Sequence, residues 1–182
     1  MGLAVPEPQR VLVTFSAELL AQAKCEVDAT FPFESGGVLM GSWQSPTDVV
    51  VRAVIGPGPQ AEHKLFAFRP DLTWQHEQIA SHYLQSEGTV TYLGDWHSHP
   101  RAEHGRLSYR DEQALYSIMS TPEAQCPAPL MAILWGAPDA WGLSVWQALR
   151  GWVPPWRKVR LRSLHCAVAP SPKSADSAIC TR

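Results

Sequence analysis

The sequence predicts an α+β domain in which a mixed β-sheet is flanked by helices in three layers. Strand-like and helix-like segments follow one another without a regular strand-helix-strand repeat, which argues against a purely parallel sheet. The chain's 182 residues suit one domain, and 45% hydrophobic against 18% charged residues leave enough apolar surface to fill a core.

Val11 to Phe15 alternates as a strand does, and Ser16 can cap a helix in which Leu19, Leu20, Ala23 and Val27 recur at helical spacing. Gly36 and Gly37 open a short apolar strand, and residues 47–56 form a β-branched run, so two adjacent antiparallel strands are expected. Pro57 to Lys64 is loop by composition, after which residues 65–69 are extended and Pro70 ends the pattern. Asp71 can cap a second helix, with Leu72, Gln75, Ile79 and Tyr83 on one stripe and Gly88 as its stop. Residues 89–100 read as a strand running into Pro100. A polar loop then leads to a third helix, opened by Ser108 with an acidic residue three positions on. Residues 129–136 and 141–149 read as strands around a turn, and residues 156–164 alternate basic and apolar as a half-exposed last strand does. The domain is expected over residues 1–166, with 167–182 as a disordered tail.

Composition excludes several function classes. With 15 Lys plus Arg against 17 Asp plus Glu, the formal charge of −2 offers no footprint for a nucleic-acid backbone. Cys25, Cys126, Cys166 and Cys180 are widely spaced, which favours neither a disulfide framework nor a thiolate metal site and suits reduced thiols in a cytoplasm. The longest apolar stretch, Leu130 to Trp135, is far short of the roughly 18 residues of a membrane span, and Pro6 stands where a myristoylation signal wants Ser or Thr. A cytoplasmic protein without nucleic-acid or membrane partners is expected.

The chemistry concentrates around His97 and His99. Residues i and i+2 of a strand share a face, so both imidazoles project side by side, and neutral imidazole is the commonest metal ligand. A catalytic zinc takes about three protein ligands and leaves a position open, and Asp111, in the first turn of the third helix, is the candidate third. Ser108 and Asp111 also read as a helix cap, a role compatible with ligation. A proton acceptor outside the ligand set is needed as well, and Glu34, held just before Ser35-Gly36-Gly37, is the candidate.

The other histidines are read as incidental. His76-Glu77 and His82 do not complete a zinc-helix motif, because Ala80 stands where the second histidine would fall. His63 and His104 follow Ala-Glu in loops; Glu103-His104 lies in the loop between the histidine strand and Asp111, where it could touch substrate or be solvated, and solvation is expected. Trp96, next to His97, must face the opposite side of the strand and pack.

Taken together, Glu34-Ser35-Gly36-Gly37-Val38-Leu39-Met40-Gly41, His97-Ser98-His99-Pro100 and Ser108-Tyr109-Arg110-Asp111 resemble the JAMM signature of the MPN-domain metallopeptidases. The resemblance spans roughly Val11 to Trp146 and implies a three-layer, cytidine-deaminase-like fold. It implies that zinc is held by His97, His99 and Asp111, that Glu34 is the acid/base acting on the bound water, and that Ser108 steadies that water and the tetrahedral oxyanion. Eleven residues separate His99 from Asp111, one more than the usual family pattern. Ser108 and Asp111 keep their mutual spacing, which points to a loop insertion rather than a disturbed ligand register.

The wording Gly94-Asp95-Trp96-His97-Ser98-His99-Pro100 is most similar to JAB-type deconjugating peptidases of bacterial anti-phage operons. In the CBASS version, such an enzyme reverses the attachment of a cGAS-like nucleotidyltransferase, joined through its C-terminus to target proteins by an E1/E2-like ligase. Two other readings stay open: a related peptidase acting on another ubiquitin-like modifier or a sulfur-carrier protein, and a non-catalytic MPN scaffold. In the enzymatic readings the partner is an extended C-terminal tail, with Pro57 to Lys64 expected as one wall of its groove and strand addition as the binding mode.

Overall fold

The computed structural model describes residues 10–153 and 156–170. Its elements are β1 (Leu12–Ser16), α1 (Ala17–Thr30), β2 (Gly36–Ser45), β3 (Asp48–Ile55), β4 (Glu62–Lys64), β5 (Ala67–Arg69), α2 (Leu72–Gln85), β6 (Thr91–Pro100), α3 (Tyr109–Ser120), a short 3-10 turn (Pro122–Ala124), β7 (Leu130–Gly136), β8 (Gly142–Val153) and β9 (Trp156–Ala169). The expected mixed sheet is present, in the order β1-β3-β2-β6-β7-β8-β9, and it curls closed because β1 pairs in parallel with both β3 and β9. The β6–β7 ladder is also parallel, and the remaining ladders of the sheet are antiparallel.

Strand alternation sorts the side chains into layers. On β7, Leu130, Ala132 and Leu134 join a core with Ala23 and Val27 of α1, whereas Met131 and Ile133 pack with Leu115 of α3. Val38 and Met40 of β2 pack on the same side with Trp74 and Ile79 of α2. Helix α1 therefore covers one face of the sheet, and α2 and α3 cover the other. Among the described residues, no helix is long and apolar enough to cross a membrane.

The helix ends follow their sequence signals closely. Ser16 accepts the Leu19 N–H at 3.2 Å and Asp71 accepts that of Trp74 at 3.2 Å. At the end of α2, Glu87 takes the left-handed conformation (φ 53°) and the Gly88 N–H returns to the Tyr83 carbonyl at 2.8 Å, one residue later than a simple glycine stop. The α2 stripe is only partly realised. Gln75 is buried and Ile79 packs, but Leu72 and Tyr83 are exposed because α2 does not close against α3.

Two segments depart from their expected form. Residues 62–64, expected as loop, form β4 and pair with β5 as a separate hairpin, and Leu65 and Phe66, expected as extended, are its turn. Strand β9 runs past the expected boundary at Cys166 to Ala169, because Ala167, Val168 and Ala169 pair with Thr14, Phe15 and Ser16. The remainder of the expected tail, from residue 171, lies outside the described residues, as does Cys180. Cys25, Cys126 and Cys166 are free thiols.

Candidate metal centre

The facing of the two histidines is decided by one extra residue in β6. The β2–β6 register pairs Leu39 with Gly94 but Met40 with Tyr92, so β6 carries a bulge whose Gly94 has φ 138°. Leu93 and Trp96, three apart, consequently share the α1 core. Tyr92 and Asp95, likewise three apart, are on the opposite face, where the Tyr92 hydroxyl donates to Asp95 at 2.6 Å. Without the bulge His97 and His99 would share the parity of Leu93 and point into the α1 core. With it, they face the side of α2 and α3. Trp96 packs as expected, its indole N–H donating to the Ile55 carbonyl at 2.9 Å.

Helix α3 brings Asp111 to the imidazoles. His97 Nε2 lies 3.1 Å from Asp111 Oδ1, His99 Nε2 lies 3.4 Å from Oδ2, and the two Nε2 atoms are 2.9 Å apart. These are the three side chains that the sequence singled out as ligands, and their ligand atoms lie within 4.8 Å of one another. The helix start is a capping box: Ser108 N–H donates to Asp111 Oδ2 at 2.6 Å, and Asp111 N–H donates to Ser108 Oγ at 3.3 Å. Capping aims the carboxylate back over β6, so cap and candidate ligand are one arrangement. Burial pushes the Asp111 carboxyl up, but hydrogen bonds from His97, His99 and Ser108 outweigh it and hold the group well below the usual carboxylate range.

The donor set suits a metal ion. Two ring nitrogens and one carboxylate converge on a common point at the wall of an open cleft, leaving room for a further ligand. Gly36 is paired with His97, and a Cβ there would lie 2.7 Å from the His97 Cβ and 2.6 Å from the Phe68 ring. Only glycine lets β2 approach the imidazoles this closely.

Glu34 reaches the same centre from the segment that leads into β2. Gly37 pairs with Trp96 and Gly36 with His97, and the same register carried back two residues sets Glu34 across from His99. Its backbone is held on two sides. The Glu34 N–H donates to the Lys64 carbonyl at 2.8 Å, and the His63 ring Nδ1 lies 2.9 Å from the Glu34 carbonyl. Burial raises the Glu34 carboxyl above the ordinary glutamate range. His97 and His99 pull it down, Asp111 pushes it up, and Arg110 pulls it down again. The charges of all three candidate ligands therefore act on this carboxyl. His63 is not the incidental residue expected; its contact joins groups 29 positions apart, beyond any local pattern. His76, Glu77 and His104 are exposed, as their sequence context suggested, and His82 is half-buried.

These groups open into a cleft of about 1850 Å³ between α2 and α3. Small-molecule pockets occupy roughly 300–1,000 Å³, so this one has room for a length of polypeptide. Its lining includes Leu65, Phe66 and Phe68 of the hairpin and none of residues 57–64, so the wall expected from Pro57 to Lys64 is instead built by the turn and β5. Phe66 and Tyr109 stand exposed at its rim, and Arg110 Nη1 donates to the Phe66 carbonyl at 3.2 Å, tying the hairpin tip to α3.

Residues 15–148 match the family described as prokaryotic homologs of the JAB domain. The chain is 38% identical over 113 residues to a probable metalloprotease, y4qB, of Sinorhizobium fredii, covering 62% of this chain and 69% of that protein. It is 31% identical over 128 residues to a CD-NTase/cGAS isopeptidase of Pseudomonas aeruginosa, covering 62% of this chain and 79% of that one. The solution structure of protein DSY2949 from Desulfitobacterium hafniense shares the fold, with a TM-score of 0.59 at 16% identity over 88% of this chain and 95% of the other.

Proposed function

The chain belongs to the prokaryotic JAB-domain family and is a metallopeptidase, and from that premise we propose that it is a zinc-dependent isopeptidase that frees a protein from the C-terminal tail conjugated to it. The tail proposed is that of a cGAS-like nucleotidyltransferase attached by an E1/E2-like ligase, and the setting is cytoplasmic anti-phage defence of the CBASS type. Support comes from the isopeptidase relative of Pseudomonas aeruginosa. The observation that carries the reading is the convergence of His97, His99 and Asp111 with Glu34 at the wall of one open cleft.

In this reading His97, His99 and Asp111 hold the metal. Bound there, zinc supplies Lewis acidity that brings the pKa of a water ligand to about 7. Glu34 accepts the proton of the attacking water and delivers it to the departing amine as the carbon–nitrogen bond breaks. Water's oxygen ends in the new carboxyl group, the amine leaves neutral with the proton Glu34 delivered, the second water proton passes to solvent as the acid ionises to carboxylate, and no covalent enzyme intermediate forms. Ser108 lines the cleft with its hydroxyl proton free to donate, because its oxygen serves the cap as acceptor, and it steadies the oxyanion of the tetrahedral carbon. The substrate tail lies extended along the hairpin wall and adds to the β5 edge, with Phe66 and Tyr109 at its flanks.

The test is a panel of purified fusions carrying the tail of a nucleotidyltransferase, a ubiquitin-like modifier or a sulfur-carrier protein, incubated with zinc-loaded and chelator-treated enzyme. Zinc-dependent release of the nucleotidyltransferase fusion alone is the expected result. Preferential release of either other tail transfers the substrate to the related peptidase reading. Failure on every fusion, with no zinc bound, would leave the non-catalytic scaffold.

A further inference from the structure

Glu34 precedes the first residue of β2, Gly36, and its own N–H and C=O are not paired in a ladder of the main sheet. What holds it is the hairpin. The Glu34 N–H donates to Lys64 O at 2.8 Å, and His63 Nδ1 meets Glu34 O at 2.9 Å. A carbonyl only accepts, so this contact requires the proton on Nδ1 and selects one tautomer of His63. The imidazole is half-buried, on a strand that does not line the cleft, while its partner strand β5 does. On the other side, Ser35 N–H donates to Ser98 Oγ at 3.0 Å and Ser98 N–H donates to Ser35 O at 2.7 Å. The peptide after Glu34 is thus fixed by β6, and the Glu34 carbonyl is fixed by His63.

We infer that His63 is a positioning residue for the hydrolysis: its Nδ1–H clamps the Glu34 carbonyl and so aims the Glu34 carboxylate at the reacting centre. The inference rests on the reading of Glu34 as the proton shuttle. His63 is not among the residues that line the cleft, and its ring contact is with the Glu34 carbonyl, so it acts through Glu34. It also joins the base to the hairpin that walls the cleft, so the element that contacts substrate is the one that holds the base. A misplacement of about 1 Å at a catalytic group costs on the order of 100-fold in rate, which sets the scale of the expected effect.

The experiment compares His63→Ala, His63→Asn and His63→Gln with the wild-type protein. An asparagine amide can reach the place of Nδ1, whereas a glutamine amide reaches toward that of Nε2. Expected are a fall in kcat of roughly 10- to 100-fold for His63→Ala with KM and zinc content unchanged, substantial recovery in His63→Asn, and none in His63→Gln. A second readout needs neither metal nor substrate. In metal-free protein, amide exchange in the peptide covering residues 33–37 should accelerate in His63→Ala and return toward wild type in His63→Asn. Wild-type kcat and wild-type exchange in His63→Ala would overturn the inference, as would equal impairment of the alanine and asparagine variants. If the wild-type protein cleaves no fusion, the functional reading fails on its own, and the exchange comparison still judges the clamp.

Discussion

Ser98 stands between the two candidate ligands on β6, yet its hydroxyl points to the opposite face and accepts the backbone N–H of Ser35 at 3.0 Å. One strand therefore presents the imidazoles on one side and anchors the residue after Glu34 on the other. Both serines are fully buried, so removing the acceptor strands an N–H without water to replace it. Such an orphan costs about 1–3 kcal/mol. Ser98→Ala should lower the unfolding free energy by that amount in urea titrations, keep its zinc and lose turnover. An unchanged urea midpoint would refute the anchoring role.

Metal binding and proton transfer should separate by mutation. His99→Ala and Asp111→Ala remove candidate ligands and should abolish stoichiometric zinc, measured by atomic emission on dialysed protein. Glu34→Ala should retain zinc and lose turnover, because general acid–base catalysis contributes about 10²- to 10⁴-fold. Residual activity near wild type in Glu34→Ala would remove Glu34 from the mechanism. Asp111→Asn distinguishes ligand from cap: its side-chain oxygen can still accept the Ser108 N–H, so helix content should hold while zinc affinity falls.

Gly94 is expected to be the least replaceable residue of β6. Its φ of 138° is one that other residues rarely adopt, and a Cβ would collide with the Leu130 carbonyl oxygen across the β6–β7 ladder. Strain of this kind costs about 1–3 kcal/mol. Gly94→Ala should lower stability by at least that much and also weaken zinc binding, since the bulge sets which face the histidines occupy. Isothermal titration with zinc, run beside urea unfolding, checks both. Full zinc affinity in a destabilised Gly94→Ala would show that the ligand facing survives without the bulge.

The candidate site was legible because its signals are local. Alternation pairs His97 with His99, a short loop and a cap place Asp111, and Gly36-Gly37 marks a close approach. What escaped depends on contacts between distant segments. The β4 strand is three residues long and is held partly by the Glu34 backbone, so its composition reads as loop. The extension of β9 to Ala169 needs parallel pairing with β1 at the other end of the chain. The His63 clamp needs that same unexpected β4. Gly94 was different, because an isolated glycine inside a strand pattern is a recognised bulge signal and could have been used. The outward turn of Leu72 and Tyr83 follows from a cleft left open between α2 and α3, which helical periodicity alone does not encode.

Two buried groups beside Asp95, Cys126 and Tyr92, predict how stability responds to alkali. Cys126 is buried, donates to the Leu93 carbonyl at 3.5 Å, and has its thiol pushed from 9.0 up to about 12 by burial and by Asp95. Burial and Asp95 also raise the Tyr92 hydroxyl far above its ordinary 10.0. Both groups hold their protons longer in the folded state, so above pH 9 the unfolded chain binds fewer protons and stability falls as pH rises. The contribution is intact below pH 9 and for Cys126 is lost progressively up to about pH 12, with a limiting slope near 1.4 kcal/mol per pH unit for each group. Urea unfolding at pH 8, 9.5 and 10.5 should show this decline; burial also raises the Cys166 thiol from 9.0 to about 11, so Cys126→Ala should reduce the slope between the first two points without abolishing it. At pH 8 native Cys126 should resist iodoacetamide while exposed Cys25 reacts, read by peptide mass spectrometry. Rapid native alkylation of Cys126, or an alkaline slope identical in Cys126→Ala and wild type, would mean that this thiol is not held protonated by its surroundings.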